Sequence, residues 1–193
     1  MPEPRIVTAA VLVIGNEILS GRTKDANLNY LATELNAIGV RLLEARVVAD
    51  LPEAIIAAVN ALRGAYDYVF TTGGIGPTHD DITSDCVARA FGVRLIKDPR
   101  AVNLLTDHYG EANLTEARLR MAHLPEGSTL VDNPISTAPG FQIGNVFVLA
   151  GVPAICRAMF DGVKGRLKVG DRMLSATVSA YVGEGVIAKG LGA

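Results

Sequence analysis

Tyr68-Val69-Phe70-Thr71-Thr72-Gly73-Gly74-Ile75-Gly76-Pro77-Thr78-His79-Asp80-Asp81-Ile82-Thr83-Ser84-Asp85 opens with β-branched and aromatic residues, passes through three glycines and a proline, and leads into a helical pattern. The reading is strand, loop, helix. In an open α/β sheet such a loop lies at the carboxyl end of a strand, where ligands bind, and the helix turns its partly positive N-terminus towards them. Glycines there let backbone N–H groups approach a phosphate or another anion. Asp80 and Asp81 would repel that anion unless a divalent cation lay between, so the stretch points to a metal-bridged phosphate site. A plainer alternative makes Thr78 an N-cap with Asp81 three residues on, the acidic residues serving the helix dipole alone. The crowding of glycines, hydroxyls and carboxylates into one turn favours the ligand site. Neither a Walker loop nor the G-x-G-x-x-G dinucleotide pattern is present.

The 193 residues suffice for one domain with a sizeable core, and 49% hydrophobic against 20% charged residues excludes a disordered chain. A formal charge of −2 gives no electrostatic case for nucleic acid. Cys86 and Cys156 stand far apart and outside any C-x-x-C, as in a reduced, cytoplasmic protein without structural zinc. The apolar run Ile6 to Ile14 is too short to span a bilayer, so no membrane partner is expected.

Upstream of the central stretch, residues 8–14 are continuously apolar, which predicts a strand covered on both faces. Gly15-Asn16-Glu17 ends it. Leu28, Leu31, Ala32, Leu35 and Ile38 then recur at three and four, predicting a helix closed by Gly39, with Asp25 before it either as its cap or facing the ligand. Residues 40–48 predict a second strand, and Pro52 opens a helix with Ile55, Ile56, Val59 and Leu62 as its buried stripe. Asp50 again lies between a strand and a helix, where an N-cap is the plainer role. Three such strand ends in a parallel sheet would bring their carboxylates to one rim.

Downstream, Val87, Ala90 and Phe91 continue the helix to Gly92, with Cys86 as a core residue. Residues 98–124 form a polar, helical excursion that we expect to be peripheral, with His108 and His123 on surface or packing positions and Arg118 and Arg120 either within reach of an anionic ligand or, the plainer reading, on a solvated face. Asp132 to Gly140 is a dense turn region in which Ser136, Thr137 and the Gly140 backbone are candidates to close a pocket. Phe141 to Leu149 reads as a hairpin through Gly144-Asn145, which makes the sheet mixed, and Gly151-Val152-Pro153 starts another helix. Residues 172–182 alternate like a strand and Gly183 to Leu191 reads as an opening helix. We expect a domain over 1–170 and the start of a C-terminal extension or second module over 171–193.

Thr72-Gly73-Gly74-Ile75-Gly76-Pro77-Thr78-His79-Asp80-Asp81-Ile82-Thr83 resembles the signature of the MoaB/Mog molybdopterin-binding family, in the version found at the N-terminus of CinA-type competence/damage-inducible proteins. Gly15-Asn16-Glu17-Ile18-Leu19-Ser20-Gly21 with Asp25 and Asn27, then Val48-Ala49-Asp50, then Thr137-Ala138-Pro139-Gly140-Phe141 with Gly151-Val152-Pro153, agree in the same order. The resemblance implies a three-layer α/β/α sandwich with a mostly parallel mixed sheet. It implies either a metal-dependent pyrophosphatase acting on ADP-ribose-like nucleotides, with Mg²⁺, or a molybdopterin adenylyltransferase; a pterin- or nucleotide-binding module without turnover is the non-enzymatic alternative. Carried over by position, Asp50 and Asp81 are the catalytic acids, with Asp80 and Glu17 joining them at the metal. Gly73, Gly74, Gly76, Pro77 and Thr78 hold the phosphates, and Asn16, Asp25 and Asn27 line the same side. A homo-oligomer, dimer or trimer, is expected on the same ground. The sequence departs from the family pattern at Asn16, at Ala150 in place of proline, and at Ile155 in place of glutamate.

Overall fold

The apolar run near the N-terminus becomes β1 (Val7–Ile14). In the computed structural model, which describes residues 6–172, 179 and 181–191, β1 lies inside the sheet with a parallel neighbour on each side. A short helix α1 (Asn16–Leu19) follows at once, then α2 (Asn27–Ala37), β2 (Val40–Val48) and α3 (Pro52–Ala65). Next come β3 (Tyr68–Thr72), fully buried, and α4 (Thr83–Phe91), which stops at Gly92 as expected.

The stretch expected to be peripheral is better anchored than its weak periodicity predicts. It contains β4 (Leu95–Lys97), α5 (Pro99–Tyr109), α6 (Glu116–Arg120) and β5 (His123–Pro125), and β4 pairs with β5 in a separate antiparallel ribbon. Ala101 and Leu105 of α5 enter the same core cluster as α3 and α4. Then β6 (Thr129–Val131), β7 (Gly140–Ile143) and β8 (Val146–Leu149) complete the sheet, followed by α7 (Pro153–Val163) and α8 (Glu184–Leu191). The opening helix read at 183–191 is thus α8, whereas residues 173–178 and 180 of the alternating stretch 172–182 lie outside the described residues.

The six-stranded sheet runs β2-β1-β3-β8-β7-β6, with β2, β1, β3 and β8 parallel and β7 antiparallel to both β8 and β6. This is the mostly parallel mixed sheet expected, its antiparallel part supplied by the Gly144-Asn145 hairpin. Side chains alternate between two cores because successive strand residues face opposite ways. Ala10, Leu12, Ile14 and Val69 pack with Ile55, Val59 and Leu62 of α3 and Cys86 and Val87 of α4. Ala9, Val11, Val13 and Phe70 pack with Leu31 and Leu35 of α2 and Cys156, Met159 and Phe160 of α7. In that second layer the Phe70 ring stacks on Phe147 at 5.1 Å and meets Phe160 edge-on at 5.4 Å. Burial pushes the Cys86 thiol up to about 11 and the Cys156 thiol up to about 12, as fits packing residues rather than nucleophiles.

Candidate functional site

The carboxyl ends of β1, β3 and β8 share one edge of the sheet, and a cavity of about 760 Å³ opens there. Its size is that of a pocket for a small organic ligand. The loop after β3 forms its floor. Gly73 has φ 101°, and a Cβ there would lie 2.2 Å from the Ile14 carbonyl oxygen, so only glycine lets β3 end this close to β1. The Thr83 hydroxyl donates to the Gly73 carbonyl at 3.0 Å and the Thr83 N–H to the Gly74 carbonyl at 3.0 Å. That stitch uses the first N–H of α4 inside the protein. The helix therefore does not present it to a ligand, as the sequence reading had expected. The N–H groups of Gly74, Ile75 and Gly76 have no hydrogen-bond partner among the described residues, and all three residues line the cavity.

Thr78 is not the N-cap of α4; that position is Ile82, with no side-chain cap. Instead the turn folds on itself. Asp81 Oδ2 accepts the Thr78 N–H at 2.8 Å and stands 2.5 Å from the Thr78 hydroxyl, while Asp80 Oδ1 lies 2.5 Å from the same hydroxyl. The Thr78 bond holds the Asp80 carboxyl below the usual carboxylate range. Gly76 allows this closeness, since a Cβ there would meet the Asp81 carboxylate at 2.7 Å.

The other carboxylates are distributed differently from the expected four-acid cluster. Asp50 neither caps α3 nor lines the cavity; its Oδ2 accepts the Asn16 N–H at 2.8 Å and so pins α1 to the end of β2. Glu17 on α1 does line the cavity, as Asp81 does. Among the described residues no three His, Cys, Asp or Glu side chains come together as a ready-made metal cage. Asp25 takes the capping role, accepting the Leu28 N–H at 2.8 Å.

Asn27, at the start of α2, donates from Nδ2 to the Gly151 carbonyl at 2.7 Å. Pro77 and Ser136 line the cavity. Thr137 turns away, its hydroxyl 3.0 Å from His108 Nδ1 and its backbone left-handed at φ 65°. Gly140 is inside the sheet, where a Cβ would meet the Val148 carbonyl oxygen at 2.3 Å, so its role is packing rather than closing the pocket.

Several lining residues were either outside the sequence reading or given the plainer role in it. Arg118 faces the cavity rather than solvent alone, with its guanidinium 4.1 Å from the centre of the Tyr109 ring and donating to the Asn113 carbonyl at 2.5 Å. Among the described residues it is the one cationic side chain lining this cavity. Asn133 organises the opposite loop: Oδ1 accepts the Ile135 and Ser136 N–H groups at 3.1 Å, and Nδ2 donates to Ser136 Oγ at 2.7 Å and to the Ala138 carbonyl at 2.9 Å. Its Asn-Pro turn context was the available signal. Ala150 and Ile155, two of the three departures from the family pattern, also line the wall.

A mostly parallel α/β sheet with a glycine-floored, acid-flanked cavity at its carboxyl edge defines a small-ligand domain, and residues 10–168 match the family of probable molybdopterin binding domains, to which the chain belongs. Within that family it is similar to a CinA-like protein of Syntrophus aciditrophicus, 40% identical over 161 residues covering 79% of this chain and 38% of that protein. It is similar also to a probable FAD synthase of Caenorhabditis elegans, 37% identical over 185 residues covering 85% of this chain and 36% of that one. The chain thus spans less than two-fifths of the length of these two relatives. The solved structure of the CinA protein of unknown function from Thermoplasma acidophilum superposes with a TM-score of 0.79 at 34% identity, covering 83% of this chain and 98% of that one. MoaB of Thermus thermophilus shares the fold, with a TM-score of 0.55 at 17% identity over 84% of this chain and 92% of that one. Among the described residues no helix is long and apolar enough to cross a membrane.

Proposed function

We propose that the chain is a divalent-metal-dependent nucleotide pyrophosphatase domain, acting on a pyrophosphate-linked nucleotide of the ADP-ribose type with Mg²⁺. One observation carries this reading: three backbone N–H groups without a partner among the described residues belong to the same loop as two carboxylates that crowd a single hydroxyl. The amides call for phosphate oxygens. The Thr78 hydroxyl has one hydrogen and can satisfy only one of its two carboxylate neighbours, so the other calls for a cation. Phosphate and cation together meet both demands.

Asp80 and Asp81 fit the ion by their chemistry. Mg²⁺ prefers oxygen ligands, is held by one or two carboxylates, and completes its shell with water and substrate phosphate rather than a protein cage. The bound ion would supply neutralisation of charge on the two phosphates. The residues of the chain do the remaining work. The Gly74, Ile75 and Gly76 amides hold non-bridging oxygens, and Arg118 balances the charge of the ligand from the opposite wall. Ser136 Oγ already accepts from Asn133, which leaves its own hydrogen free for a phosphate oxygen. Asp50 acts by fixing α1, and with it Glu17, at the cavity wall. Water adds to one phosphorus and the bridging oxygen leaves on the other phosphate, so ADP-ribose gives AMP and ribose 5-phosphate.

Kinship with a probable FAD synthase supports the substrate class, since FAD is itself a pyrophosphate-linked dinucleotide. Asp81→Ala and Asp50→Ala proteins are expected to release AMP from ADP-ribose more slowly than the parent; rates equal to the parent in both would sink the assignment. A second reading, a molybdopterin-binding or adenylylating domain, is favoured by the apolar Ala150 and Ile155 in the wall and by the family itself. ATP-dependent adenylylation of a pterin phosphate would be its sign.

A further inference from the structure

Among the described strands β2 is the longest, at nine residues, and it stands at the edge of the sheet with β1 as its one described neighbour. An edge of that length is a template for another strand unless charges, bulges or a covering element blunt it. Its apolar residues are open: Leu43 is 60% exposed and Val47 41%, with exposed Ala45 between them. The register with β1 slips between Leu42 and Glu44, which makes Leu43 the extra residue of a bulge. From there on the strand alternates regularly. Leu43 and Ala45 face the α2 side, where they share a groove of about 520 Å³ with Leu28 and Ala32, and Val47 follows them by parity. Glu44, Arg46 and Val48 face the α3 side, where Glu44 accepts the Tyr66 hydroxyl at 2.7 Å and Val48 packs into the core.

The order of these side chains selects a partner. Two copies of β2 related by a two-fold axis run antiparallel, and adjacent pairs in such a ladder alternate in kind, so the axis must pass through a residue opposed to itself. At Glu44 it would set carboxylate against carboxylate, and at Arg46 guanidinium against guanidinium, which is destabilising. An axis at Leu43 would run the pairing through the bulge, and one at Val47 would carry Glu44 past the end of the strand towards Asp50 of the second copy. Ala45 alone gives a complementary set. There the small Ala45 meets itself, Leu43 meets Val47 of the second copy on one face, and Glu44 meets Arg46 of the second copy on the other. We propose that β2 pairs with β2 of a second copy of this chain about a two-fold axis at Ala45, joining the two sheets into one. Within one chain Arg46 gives only Nε to Glu44, at 2.5 Å, which leaves its terminal nitrogens for Glu44 of the second copy. None of residues 43–47 lines the carboxyl-edge cavity, so the inference does not depend on how that site is read.

Sedimentation of the whole chain over a range of concentrations is expected to show a dimer. Glu44→Arg and Arg46→Glu should each weaken it at least about tenfold by placing like charges opposite one another, and the double exchange Glu44→Arg with Arg46→Glu should restore it. Glu44→Arg also loses the Tyr66 bond, so Leu43→Lys, at an exposed position, serves as a second variant that should weaken the dimer while melting like the parent. The register has its own readout. Directly opposed residues have Cα atoms about 4.5–5.5 Å apart, within the reach of a disulfide, so Ala45→Cys should link two copies under mild oxidation. Cys86 and Cys156 are buried and do not compete. A monomeric or trimeric parent, a dimer indifferent to Leu43→Lys and to both charge reversals, or an Ala45→Cys protein that forms no link between copies would each overturn the proposal.

Discussion

The Thr78 hydroxyl lies 2.5 Å from both Asp80 and Asp81, and its single hydrogen can serve only one of them. Replacing Asp81 by Asn keeps one oxygen to accept the Thr78 N–H but removes the negative charge and puts an NH₂ donor in place of the second oxygen. Asp81→Asn is therefore expected to lower kcat/KM for ADP-ribose at least about tenfold, read in a steady-state assay at saturating Mg²⁺. If Arg118, which lines the cavity, balances the charge of the ligand as proposed, Arg118→Ala should raise KM about 10- to 100-fold with a smaller change in kcat. An unchanged KM would place the guanidinium outside the ligand's reach. Gly73→Ala forces a Cβ against the Ile14 carbonyl in a left-handed backbone and should cost more than about 1 kcal/mol in denaturant unfolding, besides displacing the loop. At this scale the sequence already showed Gly73, Gly76, Asp81, Ser136 and Glu17, whose chemistry is local to a turn. Arg118 could be raised only as an alternative to a solvated face and Asn133 was hidden, because their part depends on long-range folding, and the bond from Asn16 to Asp50 spans 34 residues that no spacing rule connects.

Among the elements, α5 shows how the wall carrying Tyr109 is kept in place. Asp98, with its side chain 6% exposed, caps α5 by accepting the Arg100 N–H at 2.8 Å and also pairs with the Arg100 guanidinium at 2.6 Å and 3.0 Å. Arg100 in turn donates to the Ser128 carbonyl at 2.9 Å, tying α5 to the segment before β6. The Arg100 side chain holds the Asp98 carboxyl below the usual carboxylate range. Because the folded value is depressed, the stabilisation is present above the unfolded value of about 3.9 and is lost as pH falls through the folded one. Asp98→Ala should therefore cost about 1–3 kcal/mol at pH 7 and progressively less as pH drops below about 4, measured by urea unfolding. A constant difference between parent and variant over that range would contradict this role. The long elements were legible because β1 is a nearly continuous apolar run, β3 is β-branched and aromatic, and α2 and α3 keep a period of three and four. The three-residue β4, β5 and β6 are too short to have a period, and α5 hides its buried Ala101 and Leu105 within a polar text.

For the whole molecule, parallel β2, β1, β3 and β8 bring strand ends from distant parts of the chain to one edge, and the glycine loop after β3 occupies its centre. The ribbon segment with Tyr109, Arg118 and Met121 and the Asn133 loop then wall that edge in, making the cavity a property of the complete fold rather than of the signature stretch. The fold class could be read from alternating strands and helices plus one hairpin. The depth of the cavity could not, because its far wall comes from the segment whose pattern was weakest. The central claim is that this edge cleaves a pyrophosphate with the help of a divalent ion. It is tested most directly by incubating the purified chain with ADP-ribose and Mg²⁺, Mn²⁺ or Co²⁺, with chelator as control, and following AMP. The account predicts AMP and ribose 5-phosphate in equal amounts, abolished by the chelator; no AMP with any of the three ions, or release that the chelator leaves untouched, would contradict it.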